Sequence, residues 1–461
     1  MKKLIWILVA MLIATIAVGA SHGREAATDN IEVCEDLSLL NSVFDILKNT
    51  YYDESKVSTD VLVQGAIEGM LATLDDEHTS YMPREEFEEM QTDIEGQFGG
   101  LGMLIGIRDD ILTILSLVEG SPAGRSDLKP GDRIIKIDGK SIEGLTIEEA
   151  VKLLRGEVGS KVKLTITRES STRSLNFTLI RAIIKVESVK SDIIDDSIGY
   201  IHIAQFGKLT AMHLRKHLYE LKEKNINALI VDVRNNPGGF LTSAIEITDL
   251  FLQKGIIVST KGRDPAEDQT FEAHANAILP NMPLIVLINK GSASAAEIFA
   301  AAIKDNHRGF LLGQKTFGKS SVQEVWVLPN GAGLRVTAAL YYTPTGELIH
   351  KKGVMPDKIV EAVEIPENID ELIEIIEEFA IIKDFVATHT PYTDEEFEEL
   401  MQLLLEHEIQ LEPRLVRKLI RMEVEKYDVP KLIDLDYDIQ LQYAINMLQT
   451  INAFLETQQS R

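Results

Sequence analysis

Ser292, Ser294 and Lys319 are the residues of this chain whose types and setting could make and break an acyl bond. Both serines follow an apolar run, residues 283–289, that reads as a fully buried strand. Lys290 and Gly291 turn the chain, and residues 293–303 carry a helical pattern. A small hydroxyl at the mouth of a strand-to-helix turn is where acyl-transfer enzymes place a nucleophile. Such a serine needs a base. The usual one is a histidine held by a carboxylate, but His202, His213, His217, His307 and His350 are scattered, and no Gly-x-Ser-x-Gly surrounds a serine. Lysine is the other known base. It works only when neutral, so burial must draw its pKa down from about 10.4. Lys319 has Thr316, Phe317, Val322 and Val325 around it in sequence to exclude water. If residues 319–323 are extended, alternation puts Lys319, Ser321 and Gln323 on one face, where Gln323 can accept from the lysine and aim it.

An acyl-transfer site also needs donors for the developing oxyanion. Residues 228–233 read as a buried strand, and Arg234-Asn-Asn-Pro-Gly238-Gly239 turns into a helix at 240–252. Unpaired N–H groups ahead of a helix, aided by its dipole, make a candidate oxyanion hole. A phosphate loop and a plain tight turn are the rival readings; no Lys-Ser/Thr follows the glycines.

These motifs sit in a chain of 461 residues, long enough for two to four domains, with 45% hydrophobic and 26% charged residues, as in folded globular proteins. A formal net charge of −25 argues against nucleic acid or an anionic lipid surface as a main partner. The single cysteine, Cys34, excludes an intrachain disulfide and a Cys-based zinc site, and no cofactor or metal is expected. Met1-Lys2-Lys3, an apolar run at 4–18 and Val18-Gly19-Ala20 read as a signal peptide or signal anchor, 1–20, which sends the rest of the chain out of the cytoplasm.

Stepping along the chain, residues 31–92 form an expected helical domain. Its 74–83 stretch, with acids and His78, reads as a capping and turn segment rather than a metal site. Residues 96–181 alternate in short runs and contain a helix announced by Thr146 and Glu149 as a capping box. Gly100-Leu101-Gly102, Ser121-Pro122-Ala123, Lys-Pro-Gly-Asp132, Ile-Asp-Gly139 and Leu-Leu-Arg155-Gly156, in that order, resemble a PDZ domain. Such domains hold a free carboxyl terminus on backbone N–H groups while the peptide adds a strand. Residues 182–364 form an α/β unit, with strand 198–203, helix 210–224 and a hairpin of 322–328 with 334–341. Residues 365–461 are acidic and helical, with a capping box of Thr393 and Glu396, and suit packing or dimerisation.

Leu-Asp-Asp-Glu-His-Thr-Ser-Tyr81, the PDZ-like unit, Asp-Val-Arg-Asn-Asn-Pro-Gly-Gly239, Gly-Ser-Ala-Ser294-Ala-Ala-Glu297 and Thr-Phe-Gly-Lys319, taken together, resemble the C-terminal-processing (tail-specific) serine peptidases over roughly residues 37–360. The resemblance implies a multidomain α/β protein whose crotonase-like peptidase core carries an inserted PDZ-like domain and helical ends. It implies Ser294, not Ser292, as nucleophile, with Lys319, 25 positions on, as base, and Gln323 completing the site. It further implies Gly238 or Gly239 with Ala295 as the oxyanion hole. Gly100, Leu101 and Gly102 would bind peptide, with Arg155 coupled to substrate-dependent activation. One departure stands out: Ser320 and Ser321 replace an expected glycine and threonine. The expected substrates are exported proteins with apolar C-termini, in the periplasm or at the outer face of the bacterial inner membrane. An adaptor protein and a homodimer or higher oligomer through the terminal helices are further expectations. A non-catalytic PDZ scaffold and a PDZ-bearing His-Asp-Ser protease are the competing readings.

Overall fold

The computed structural model describes residues 37–459 apart from 109–110, 169–170, 172, 186, 363–365, 367 and 426–430; the expected signal segment and Cys34 lie outside the described residues. Two compact units emerge. One joins the chain up to Pro83 with Val325–Val336, and the other holds Arg84–Glu324 and Thr337–Arg461.

In the first unit, residues 37–50 and Thr59–Ala72 are helical. The 74–83 stretch is a turn followed by a short strand, Ser80–Met82, paired antiparallel with Gly333–Arg335. Its acid acts as a turn cap: Asp76 accepts from the His78 amide at 3.0 Å and from the Thr79 hydroxyl at 2.6 Å.

The second unit contains a β-rich module and an α/β core. The module is an antiparallel sheet ordered Met103–Arg108, Ile111–Leu117, Arg133–Ile137, Lys161–Thr167, Leu175–Ile180, with helix Ile147–Leu154. Alternation is plain in Lys161–Thr167, where Val162, Leu164 and Ile166 are fully buried and Lys161 and Lys163 exposed. The capping box at Thr146 and Glu149 is present in both directions.

The core is a six-stranded sheet in the order Val189–Ile194, Ile198–Ile203, Ala228–Asp232, Leu284–Ile288, Phe310–Gly313, Lys358–Ile359. The first pairing is antiparallel and the rest are parallel. Ala228–Asp232 and Leu284–Ile288 are buried throughout because both faces are covered. Leu229, Val231, Val286 and Ile288 face helices Thr210–Glu223, Leu241–Asp249 and Ala295–Asp305, whereas Ile230, Ile285 and Leu287 face Leu441, Ala444, Ile445 and Leu448. Helix Ile439–Gln459 therefore forms the second layer of the core. The preceding helices, Ile369–Glu378, Ile381–Thr388, Asp394–Glu406 and Pro413–Val424, gather around a cluster of their own. No described helix is long and apolar enough to cross a membrane.

Candidate active site

Strand Leu284–Ile288 ends in a turn stitched to the turn after the neighbouring strand. The Asn289 side chain accepts from the Asn235 and Gly291 amides and donates to Asn235 Oδ1, at 2.8, 3.0 and 2.9 Å. The two candidate serines then separate. Ser292 is fully buried; its hydroxyl donates to Val233 O at 2.7 Å and accepts from the Asn289 amide at 3.0 Å, so its hydrogen-bonding capacity is committed to the turn. Ser294 is only partly buried and stands immediately before helix Ala295–Asp305, with φ 55° and ψ −116°. A non-glycine residue there costs about 1–3 kcal/mol and is found where a function requires it.

Lys319 leads into strand Ser321–Val327. Val322 packs on the core, so Ser321 and Gln323 face the other way, and Lys319 Nζ donates to Gln323 Oε1 at 3.2 Å. Ser320 takes no positive φ. The turn is carried instead by Gly318 at φ +96°, where a Cβ would lie 2.8 Å from the Gly353 amide. The two serines that depart from the expected pattern therefore need no positive φ, and their buried hydroxyls have no hydrogen-bond partner among the described residues.

Two buried residues tie the Ser294 peptide to the Lys319 peptide. Glu297, fully buried one turn into the helix, accepts from the Ser294 and Lys319 amides on Oε2, both at 2.9 Å. Its Oε1 takes the Thr316 hydroxyl at 2.5 Å and the Gly318 amide at 2.7 Å. Burial pushes the Glu297 carboxyl above the usual carboxylate range, and the four donors pull against it. Because all four partners donate, the carboxylate is the form this arrangement suits. Tyr341, 2% exposed, donates to the Ser294 carbonyl at 3.0 Å and to the Lys319 carbonyl. Burial and the Glu297 charge push its phenol well up, so it remains a donor. In the sequence Glu297 belongs to the Ser294 motif but has no role assigned, and Tyr341 is not among the candidate residues. A lone acid inside an otherwise apolar helical run was the available signal.

The glycine turn abuts Ser294. Gly238 has φ +101°, and a Cβ there would sit 2.7 Å from Ser294 Cβ and 2.9 Å from the Ala295 amide. At Gly239, a Cβ would meet Phe206 O at 2.3 Å. Asn236 anchors the turn: its side chain donates to Ile203 O at 2.7 Å, and its carbonyl accepts from the Ala293 amide at 2.9 Å. The expected donors differ in availability. The Gly238 amide is spent on Asn236 Oδ1 at 2.9 Å, whereas those of Gly239 and Ala295 donate to no protein group among the described residues. Behind the turn, Arg234 is gripped by Asp232 and, from the far end of the chain, by Asp438 at 2.5 and 2.8 Å and Gln440 at 2.9 Å. Tyr200 donates to Asp232 at 2.7 Å. The C-terminal segment, which offered no chemistry in the sequence, thus braces a turn of the site.

In the β-rich module, Gly100, Leu101 and Gly102 line one side of a groove of about 220 Å³, and Ile147, Val151 and Leu154 of the helix line the other. The Leu101 and Gly102 amides donate to no protein group among the described residues. Arg155 also lines the groove, with its guanidinium 4.4 Å from the Phe98 ring centre.

Comparison with known proteins matches three stretches of the chain. Residues 197–360 match peptidase family S41, residues 113–168 a PDZ domain, and residues 12–86 the N-terminal domain of the activating protease CtpB. The carboxy-terminal-processing protease of Bartonella bacilliformis is 39% identical over 334 residues, spanning 71% of this chain and 75% of that protein. The carboxy-terminal processing protease CtpA of Bacillus subtilis is 37% identical over 317 residues, spanning 69% and 67%. Among solved structures, the photosystem II D1 C-terminal processing protease aligns at TM-score 0.42 and 26% identity, over 70% of this chain and 92% of that one.

Proposed function

The chain belongs to the carboxy-terminal-processing proteases of peptidase family S41, and on that premise we propose that it cleaves exported proteins near their C-termini with Ser294 as nucleophile and Lys319 as general base. Neutral Lys319 takes the Ser294 proton as Oγ bonds to the scissile carbonyl carbon, and the Gly239 and Ala295 amides receive the oxyanion. Collapse expels the amine, which takes the proton from Lys319. Water, deprotonated by the same lysine, then attacks the acyl carbon; Ser294 Oγ leaves with that proton, and the acid product ionises to a carboxylate. Gln323 keeps the amine aimed, in the role a carboxylate plays for histidine.

One observation carries this reading: the Ser294 and Lys319 peptides are fixed to each other through Glu297 and Tyr341, while Ser292 is consumed by the turn. The groove between Gly100–Gly102 and the helix suits an apolar C-terminus, with its carboxylate on the Leu101 and Gly102 amides. The positively charged and apolar start of the chain supports an extracytoplasmic site of action. Helix 37–50 exposes Leu39, Val43, Ile46 and Leu47, which supports self-association through the N-terminal segment, and an adaptor protein is a further expected partner.

Hydrolysis of a protein with an apolar C-terminus tests the assignment. Ser294→Ala and Lys319→Ala should each abolish cleavage, while the same variants still bind the C-terminal peptide. Full activity of Lys319→Ala would overturn the dyad.

A further inference from the structure

A cavity of about 570 Å³ opens at the carboxyl ends of the parallel strands, away from the peptidase chemistry; neither Ser294 nor Lys319 lines it. Its floor is built by Lys190, His202, Asp232 and Asn289, and its roof by Arg414 and Lys418 of helix Pro413–Val424 with the segment around Asp438. In open parallel sheets this edge is where ligands bind, and the volume is that of a small-molecule site.

The hydrogen-bonding inventory of the wall is lopsided. Its acceptors are spent. Asp232 takes Tyr200 and Arg234, Asp438 takes Arg234 and the Leu441 amide, and Asp434 takes Arg421 at 2.6 Å. Asn235 and Asn289 satisfy each other's oxygens. Of its donors, Tyr200, Arg234, Lys431 and Gln440 are spent, and three cationic side chains are not. Among the described residues Lys190 and Lys418 have no acid partner and no hydrogen bond. Arg414 uses one nitrogen, on Asp436 O at 2.7 Å and Gln442 at 3.3 Å, and keeps the other two. The side-chain nitrogen of Asn235 also donates to no protein group among the described residues. Unspent cations therefore converge on one cavity in a chain whose net charge is −25, where acids far outnumber bases.

We propose that this cavity binds a small multivalent oxyanion, phosphate- or carboxylate-bearing, held between Lys190 on the sheet side and Arg414 and Lys418 on the helical side. Charge-assisted bonds from lysine and arginine to such a group are the strong kind, and the paired acids keep the cavity from being merely a positive surface. An occupant would touch Arg234 and Asn235, the first two residues of the turn that ends in Gly238 and Gly239.

Isothermal titration of the full chain with pyrophosphate and with citrate, at a fixed ionic strength of about 0.15 M, decides the matter. The expected result is one saturable site for at least one probe, weakened about tenfold or more by Lys190→Glu and by Lys418→Glu. Binding of pyrophosphate alone marks a phosphate-bearing ligand, and binding of citrate alone a polycarboxylate. Both lysines are exposed, so the reversals leave the fold intact, and unchanged peptide hydrolysis without probe checks this. No saturable binding of either probe, or binding indifferent to both reversals, overturns the proposal.

Discussion

Glu297→Gln is the sharpest perturbation of the dyad's frame, because it keeps the shape and removes one acceptor. The carboxylate has two donors on each oxygen. A carboxamide must turn its NH2 towards one of the pairs. Facing Ser294 and Lys319 it would meet two amide hydrogens. Facing Thr316 and Gly318 it meets only one, since the Thr316 hydroxyl can turn to accept. The second orientation is cheaper, leaving the Gly318 amide buried and unpaired. The Gly318 bond, at about 1.5–3 kcal/mol, is lost, and the other three lose their charge assistance. Against that, a neutral amide is easier to bury than the charge whose burial raises the Glu297 pKa. The expected net loss of stability is about 2–4 kcal/mol. Catalysis should suffer separately: Gly318 precedes Lys319, the proposed base, and a displacement of about 1 Å costs on the order of 100-fold. The assay is kcat and KM on a peptide with an apolar C-terminus, beside urea unfolding followed by circular dichroism. The prediction is a kcat lowered about 100-fold with KM nearly unchanged, because the peptide groove is untouched. A kcat within about threefold of wild type, with stability reduced as calculated, would refute the reasoning: Glu297 would then hold the fold and not the dyad.

Three other perturbations probe neighbouring parts of the same argument. Tyr341→Phe removes the donor shared by the Ser294 and Lys319 carbonyls and should cost about 1–2 kcal/mol in urea unfolding. Its kcat should fall about tenfold or more with KM held; a rise in KM alone would contradict that. Gly238→Ala places a Cβ against Ser294 Cβ and the Ala293 carbonyl at a φ alanine avoids, so hydrolysis should drop about 100-fold while C-terminal peptide binding persists. Burial holds the His202 imidazole below its ordinary pKa, so its contribution to stability is full above about pH 6.5 and is lost as pH falls through that value towards the folded pKa. The urea midpoint should therefore fall between about pH 7.5 and 5.5 less steeply in His202→Gln than in wild type; parallel slopes would rule the histidine out.

How much of this was legible in the sequence follows from which interactions are local. Strands whose two faces are both covered show as unbroken apolar runs, so Ala228–Asp232 and Leu284–Ile288 could be read directly. The PDZ-like unit announced itself through turn glycines and a capping box, both short-range devices. Helix Ile439–Gln459 was readable as a helix. Its destination was not, because an apolar stripe states that a face is buried but not against what. The brace from Asp438 and Gln440 to Arg234 spans 204 and 206 positions and joins polar residues that carry no periodic signal.

The choice between Ser292 and Ser294 shows the same division at its finest. Both are serines in one turn, and no local rule separates them. In the structure Ser292 answers a need of the turn, satisfying the Val233 carbonyl and the Asn289 amide, and it would do so in a protein with no activity. Ser294 answers no such need and occupies a backbone conformation that costs energy. That conformation aims its amide at Glu297 and its carbonyl at Tyr341, the two groups that also hold Lys319. A single backbone geometry thus registers two loops against each other through main-chain groups, while Lys319 Nζ donates to Gln323. It follows that the side chains at 294 and 319 can be exchanged with little effect on the frame. Ser294→Ala and Lys319→Ala should both unfold within about 1 kcal/mol of wild type, and the loss of cleavage in those variants can then be assigned to the missing atoms.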